Sequence, residues 1–245
     1  MHVLDNPAWS ALTGPQRAQG RIAGDVARYQ PDISAFGAFA HDPGPGDWTA
    51  MAELVGAGSV VITTGCTGTP PEGWDVEYDG AGMQLTGEAL VGSAAPPIPP
   101  GIDVVALGPG DVPDMLELVA LTRPGPFAPR TVELGGYVGI RREGRLVAMA
   151  GERLRPVGWA EISAVATHPD HRRQGFGELL VRVVAAGVLA RGEVPMLHAA
   201  ADNTGAIRLY RAMGFAVRRR TRFVAARAPG TPPSGAPVLT LPPQG

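Results

Sequence analysis

The sequence predicts an α/β protein with a mixed sheet: a domain over residues 102–228, preceded by a smaller α/β domain over residues 1–95. Three observations carry this reading. Strand-period and helix-period segments alternate after residue 101, as they do in mixed and parallel sheets. Residues 94–101 read Ala-Ala-Pro-Pro-Ile-Pro-Pro-Gly, which fits neither a helix nor a central strand, so 96–101 is expected to be a semi-rigid linker. The charge also changes sign near that seam. Residues 1–123 carry four arginines against fifteen acidic side chains, net −11, and residues 124–228 carry seventeen against eight, net +9.

Each element has its own signal. Before the linker, Gln16–Tyr29 and Trp48–Val55 are expected to be helical, and Ser59–Thr64 and Trp74–Leu85 to be strands. After it, Ile102–Leu107 reads as a strand. Asp111–Leu121 reads as a helix with Asp111 as its cap. A Pro-broken loop, Thr122–Arg130, follows. Tyr137–Arg141 and Leu146–Leu154 form a hairpin around Arg142-Glu143-Gly144-Arg145. Trp159–Thr167 is a third strand, whose alternation puts Glu161, Ser163 and Val165 on one face.

From Gly175 to Arg191, Phe176, Leu179, Leu180, Val183, Val184 and Val188 fall at i, i+3, i+4, i+7 and i+8, an amphipathic helix. Met196–Ala201 is a strand. Asn203 caps a helix that Gly214 closes, and Phe215–Ala226 is the last strand or hairpin. The uncharged tail, 229–245, is Pro/Gly-rich and is expected to be disordered, with Val238–Leu241 as a candidate edge strand.

Composition excludes several chemistries. All 21 basic side chains are arginine. No lysine is available for a Schiff base or for a Gly-x-x-x-x-Gly-Lys phosphate loop. The single cysteine, Cys66, excludes an intramolecular disulfide framework and a multi-cysteine zinc site, and fits a reducing compartment. It is expected to be a buried, inert thiol. The five histidines are too scattered to propose a metal site, so none is expected. No run approaches the ~20 apolar residues of a membrane span, and no secretory leader is readable, so a cytoplasmic location is expected.

The residues with chemistry lie around the second helix of the 102–228 region. The third strand runs through Val165, Ala166 and Thr167 into His168-Pro169-Asp170-His171, and then into Arg172-Arg173-Gln174-Gly175-Phe176-Gly177-Glu178. A helix N-terminus offers unpaired N–H groups and the positive end of a dipole. Glycines there remove the Cβ atoms that would hold an anion away, and two arginines stand beside it. The combination is a pyrophosphate cradle. About thirty residues downstream, Asn203-Thr204-Gly205-Ala206-Ile207-Arg208-Leu209-Tyr210-Arg211-Ala212-Met213-Gly214-Phe215 forms a capped helix ending in Gly-Phe.

Arg-x-x-Gly-x-Gly after a strand, then Asn-x-x-Ala-x-x-x-Tyr-x-x-x-Gly-Phe after the next, resembles the GNAT superfamily of CoA-dependent N-acyltransferases. The resemblance covers residues 102–227 and is dense over 159–215. Residues 1–95 lack both motifs, and a degenerate second copy of the fold, as in glycine N-acyltransferase-like members, is one reading of them. The resemblance implies that backbone amides from Arg173 to Glu178, with Arg172 or Arg173, bind the CoA pyrophosphate. It implies that the pantetheine arm lies along Val165–Thr167 and that a backbone N–H near Val165 holds the thioester oxygen.

Tyr210 occupies the position that protonates the leaving thiolate, and Asn203 lies near the CoA arm. Glu161, fourteen residues before Gly175, is the candidate base, with His198 as an assisting or core residue. The expected activity is acetyl transfer from acetyl-CoA to a primary amine, of a small molecule or peptide, by direct attack in a ternary complex. Alternatives are a longer acyl-CoA, an amino-acid acceptor, or a non-catalytic acyl-CoA sensor. Arg218-Arg219-Arg220-Thr221-Arg222 could hold nucleic-acid phosphate, but pairing with the acidic half is the preferred reading. The sequence does not determine the oligomeric state.

Overall fold

The computed structural model describes residues 2–92 and 96–231. The candidate edge strand at 238–241 lies outside them. The first part holds α1 (Pro7–Thr13), β1 (Gly20–Ala23), β2 (Val26–Tyr29), β3 (Gly37–Phe39), α2 (Pro45–Val55), β4 (Val60–Thr64) and β5 (Asp75–Thr86). The second holds β6 (Val104–Leu107), α3 (Val112–Thr122), β7 (Tyr137–Arg142), β8 (Arg145–Glu152), β9 (Trp159–Thr167), α4 (Phe176–Ala190), β10 (Val194–Ala200), α5 (Thr204–Ala212) and β11 (Ala216–Arg227). Among the described residues no helix is long and apolar enough to cross a membrane.

The helix expected over Gln16–Tyr29 is absent. Those residues form a short 3-10 turn and then the β1–β2 hairpin, closed where Ala23 pairs with Val26 around Gly24-Asp25. Gly20 and Gly24 disfavour a helix, and tertiary burial settles the segment: β2 is buried along its whole length, its Arg28 donating to the backbone carbonyls of Tyr29 and Val55.

β1, β2 and β3 form a small antiparallel sheet. Eight further strands among the described residues form one sheet in the order β4-β11-β5-β10-β9-β8-β7-β6. Only the β9–β10 junction is parallel. β5, from the first part of the chain, is therefore inserted between β10 and β11 of the second. The core is shared as well. Leu4, Leu12, Tyr29, Phe36 and Ile62 pack with Leu154, Met196 and Ala225. The Pro-rich segment 96–101 is a loop, and it joins two parts of one sheet.

The two halves of opposite charge meet in ion pairs. Arg218 and Arg219 donate to Asp5 at 2.7 and 3.1 Å, Arg222 forks onto Asp79, and Arg227 bonds Glu77. The Arg218 hydrogen bond, against some burial, brings the Asp5 carboxyl down to about 2. Three arginines of the 218–222 run are thus engaged within the fold.

On the main sheet, α4 buries Phe176, Leu180, Val184 and Val188 against Ala148 and Ala150 of β8 and Ala160 and Ile162 of β9. α3 covers the opposite face, with Met115, Leu118 and Val119 against Met149, Ala164 and Ala166. Ala160 and Ile162 face one helix while Ala164 and Ala166 face the other. A strand of strict period two cannot do this. The switch comes from a bulge in β9, where Met149 pairs with Ala166 and Gly151 with Ser163, and Ala164 adopts φ 52°. The expectation that Glu161 and Val165 share a face is corrected by this bulge: Val165 packs toward the α4 side.

Candidate functional site

The site is built where the parallel junction opens. β9 and β10 pair from Trp159–Val194 to Ile162–Leu197 and no further. Beyond that point His198, Ala199 and Ala200 of β10 pair with β5, whereas β9 continues against β8 alone. The edge of β9 over residues 163–167 thus faces a gap. A cleft of about 550 Å³ lies there, bounded by Ser163, Ala164 and Val165 on one side and by Ala199, Ala200 and Asn203 on the other. Thr122 at the end of α3, the following residues 123–126, and Tyr210 also border it.

The bulge sits on this exposed edge. A left-handed alanine costs of order 1 kcal/mol or more and persists only when packing holds it. Here Ala164 is 8% exposed, held among α3 side chains. A bulge re-aims the backbone of its strand, and here the bulged residues Ala164 and Val165 line the cleft.

The anion cradle stands at the end of the same strand. After a 3-10 turn at Pro169–His171, Arg173 takes φ 62° and Gly175 φ 77°, and α4 begins at Phe176 with no side-chain cap. Its first N–H groups therefore remain available to a ligand. A Cβ at Gly175 would point into open space. One at Gly177 would lie 3.7 Å from Thr167 Oγ1 and 3.8 Å from Val165 Cγ1, so a bare backbone there opens the passage between β9 and the helix start. Arg172 and Arg173 are exposed and have no ion-pair partner among the described residues. Glu178 is paired with Arg182 at 2.9 Å and offers the cradle only its backbone. Phe176 is buried, anchoring the helix start in the core.

Tyr210 lies on α5, 9% exposed, with its ring edge-on to Phe215 and its side chain lining the cleft. Burial pushes its phenol up from the ordinary value, so it is protonated at neutral pH. Its hydroxyl bonds to none of the described residues. Asn203 does cap α5, accepting the Ala206 N–H at 3.1 Å, and also lines the cleft.

Glu161 is placed differently from its expected role. It is 0% exposed and does not border the cleft. Its Oε1 accepts from Arg153 Nη2 at 2.6 Å and from His198 Nδ1 at 2.8 Å, and its Oε2 accepts from Arg153 Nε at 2.9 Å and Leu154 N at 3.3 Å. Burial raises the carboxyl, but the Arg153 charge and the His198 bond outweigh it and hold it well below the usual carboxylate range. A carboxylate so bound keeps no lone pair directed at an acceptor amine.

The network fixes the His198 tautomer. Gln84 Oε1 accepts from Arg218 at 2.8 Å, so its amide nitrogen faces Leu4 O at 2.8 Å and His198 Nε2 at 3.1 Å. Nε2 is then the acceptor, and Nδ1 carries the proton donated to Glu161. His198 is a cleft wall with both nitrogens occupied, its ring edge-on to Phe223 at 5.4 Å.

Part of the cleft wall carries no sequence signal. Phe36, Ile62 and Tyr78 come from the first part of the chain, and Arg153, Phe223 and Ala225 from the second. The Arg153 guanidinium lies over the Phe36 ring at 4.6 Å. No local motif marks these residues; the pairing of β4 and β5 with β11, the Phe36–Ile62 bridge and the bond from Arg153 N to Glu161 O bring them together. Cys66 is buried, its thiol pushed up by burial, and lies outside the cleft lining. His41 sits with Asp25 and Asp47, also outside that lining.

Residues 137–224 match the family model described as FR47-like protein. The N-alpha-acetyltransferase RimI of Mycobacterium tuberculosis is 38% identical over 90 residues, which are 34% of this chain and 56% of that protein. The chain thus matches about half the length of that relative. A crystal structure described as a GNAT-family acetyltransferase from Novosphingobium aromaticivorans superposes with a TM-score of 0.81 at 38% identity, covering 92% of this chain and 98% of its own. A GCN5-related N-acetyltransferase from Kribbella flavida superposes at TM-score 0.62 and 19% identity, over 94% and 97% of the two chains. At that identity the likeness is one of fold.

Proposed function

The chain belongs to the GNAT family of acetyltransferases, and from that premise we propose that it moves an acetyl group from acetyl-CoA to a primary amine by direct attack in the cleft between β9 and β10. The opening of the sheet after Ile162 and Leu197 carries this reading, because it leaves a strand edge unpaired beside a helix N-terminus that has no cap.

The residues divide the work as follows. The backbone amides from Arg173 to Glu178 bind the pyrophosphate, assisted by the side chains of Arg172 and Arg173. The β9 edge at Val165, Ala166 and Thr167 aligns the pantetheine arm by strand-like hydrogen bonds, and Asn203 flanks it. The N–H beside the Ala164 bulge holds the thioester oxygen and stabilises the negative charge that develops there as the amine nitrogen bonds to the carbonyl carbon. The carbon–sulfur bond then breaks, and Tyr210 delivers its proton to the departing sulfur. The amine releases its proton to solvent in the open cleft, and the Tyr210 phenolate regains one from the same solvent. Glu161 acts as a positioning residue, holding Arg153 and His198 in place.

The test is release of free CoA thiol from acetyl-CoA across a panel of amines, with the acetylated product identified by mass spectrometry. Amine-dependent release supports the reading. Tight acetyl-CoA binding with no acetylation of any amine would make the protein an acyl-CoA sensor instead.

A further inference from the structure

We propose that the acceptor is a free α-amino acid with an apolar side chain, and that Arg153 binds its carboxylate. This rests on the acyl-transfer reading above and adds the substrate class to it.

Arg153 has five N–H donors in a rigid fork. Nε and Nη2 hold Glu161 at 2.9 and 2.6 Å. Nη1 has no partner among the described residues and is not sealed from solvent, and the side chain, 11% exposed, borders the cleft. The ion pair on one edge and the Phe36 ring beneath hold the guanidinium in one orientation. A donor pair held in a fixed fork therefore stands free at the border of the cleft, which is the arrangement that recognises a carboxylate. Glu161 occupies one edge of the guanidinium, and the free edge still offers two N–H donors to an acceptor oxygen.

The surroundings narrow the class. His198 presents a ring with both nitrogens engaged, and Phe36, Ile62 and Phe223 present carbon. An aliphatic or aromatic side group packs against these walls. The size limit comes from β9: Glu161, which holds Arg153, and Val165, beside the bulge, are four residues apart. At ~3.3 Å per residue that is about 13 Å. This span takes the thioester carbonyl, one amine and one carboxylate.

Three matched probes test it on the full chain with acetyl-CoA: phenylalanine, phenylalaninamide and phenethylamine. Phenylalanine is expected to be acetylated with a kcat/KM roughly 10- to 100-fold above phenethylamine, as a charge-assisted hydrogen bond gives, with the amide between them. Arg153→Lys keeps a cation on Glu161 but has no second nitrogen to spare, and is expected to bring the two rates within about threefold while acetyl-CoA affinity is kept. Where that variant fails to fold, Arg153→Met combined with Glu161→Gln removes the pair without leaving a buried charge, and the same ratio is read. Equal or better turnover of phenethylamine by the native chain overturns the acceptor assignment and leaves acyl transfer standing. A phenylalanine preference untouched in the variants overturns the role of Arg153. Failure to bind acetyl-CoA at all removes both readings.

Discussion

Ile162 of β9 and Leu197 of β10 are the last residues paired across the parallel junction of the sheet. One residue later the strands have different neighbours, and two residues later Ala164 turns left-handed. The opening and the bulge together convert a continuous sheet into a cleft with an unpaired backbone edge. The side chains of Tyr210 and Asn203 then border it from α5, which the next connection lays across the opening.

Tyr210→Phe removes a proton donor but keeps the ring packed against Phe215. Its kcat is expected to fall by about 100-fold or more, the usual range for general acid catalysis, with acetyl-CoA affinity changed by less than about threefold. Steady-state kinetics with calorimetry separate the two. An equal loss in both would make Tyr210 a packing residue.

Ala164 tests whether the bulge is held by packing. Ala164→Val puts a β-branched side chain at φ 52° inside the α3 contact and is expected to cost about 2 kcal/mol or more. Ala164→Gly relieves the conformation and is expected to stay within about 1 kcal/mol of the native protein. Urea denaturation of both variants checks the order.

Much of the fold and the outer half of the site can be read from sequence, because those signals are local. The glycines at 175 and 177, the Asn203 cap and the Gly214 stop each act within a turn of their own helix. The bulge is not legible: Ser163-Ala164-Val165-Ala166-Thr167 carries no residue that demands a positive φ, and α3 packing imposes it. The Gln16–Tyr29 hairpin reads as a helix because its apolar spacing suits both, and burial of β2 decides between them. Glu161 reads as a base from its spacing. Its partner Arg153, eight residues earlier on the neighbouring strand's exit, becomes visible only when β8 and β9 pair.

The Glu161–Arg153 pair sets an acid-side stability limit. Folding holds the Glu161 carboxyl below its unfolded value, so the native state binds fewer protons there. The stabilisation is present above the unfolded carboxylate pKa of about 4.3 and is lost as pH falls toward the depressed folded value. Glu161→Gln leaves Arg153 buried without its counter-charge and is expected to cost about 3–5 kcal/mol at pH 7. That difference from the native chain is expected to narrow steadily below pH ~4. Denaturation midpoints at a series of pH values measure it; a difference independent of pH would mean that the carboxylate charge does not matter.

Calorimetric titration of acetyl-CoA into the native chain and into Gly175→Glu tests the central claim most directly. Glu at this position sits at φ 77° and places a carboxylate beside the uncapped start of α4. The native chain is expected to bind with one site per molecule, and the variant at least about 100-fold more weakly, the scale of ~2.7 kcal/mol. Equal affinity for the two proteins, or no binding by the native chain, would contradict the assignment of this cleft and its helix terminus to acyl-CoA.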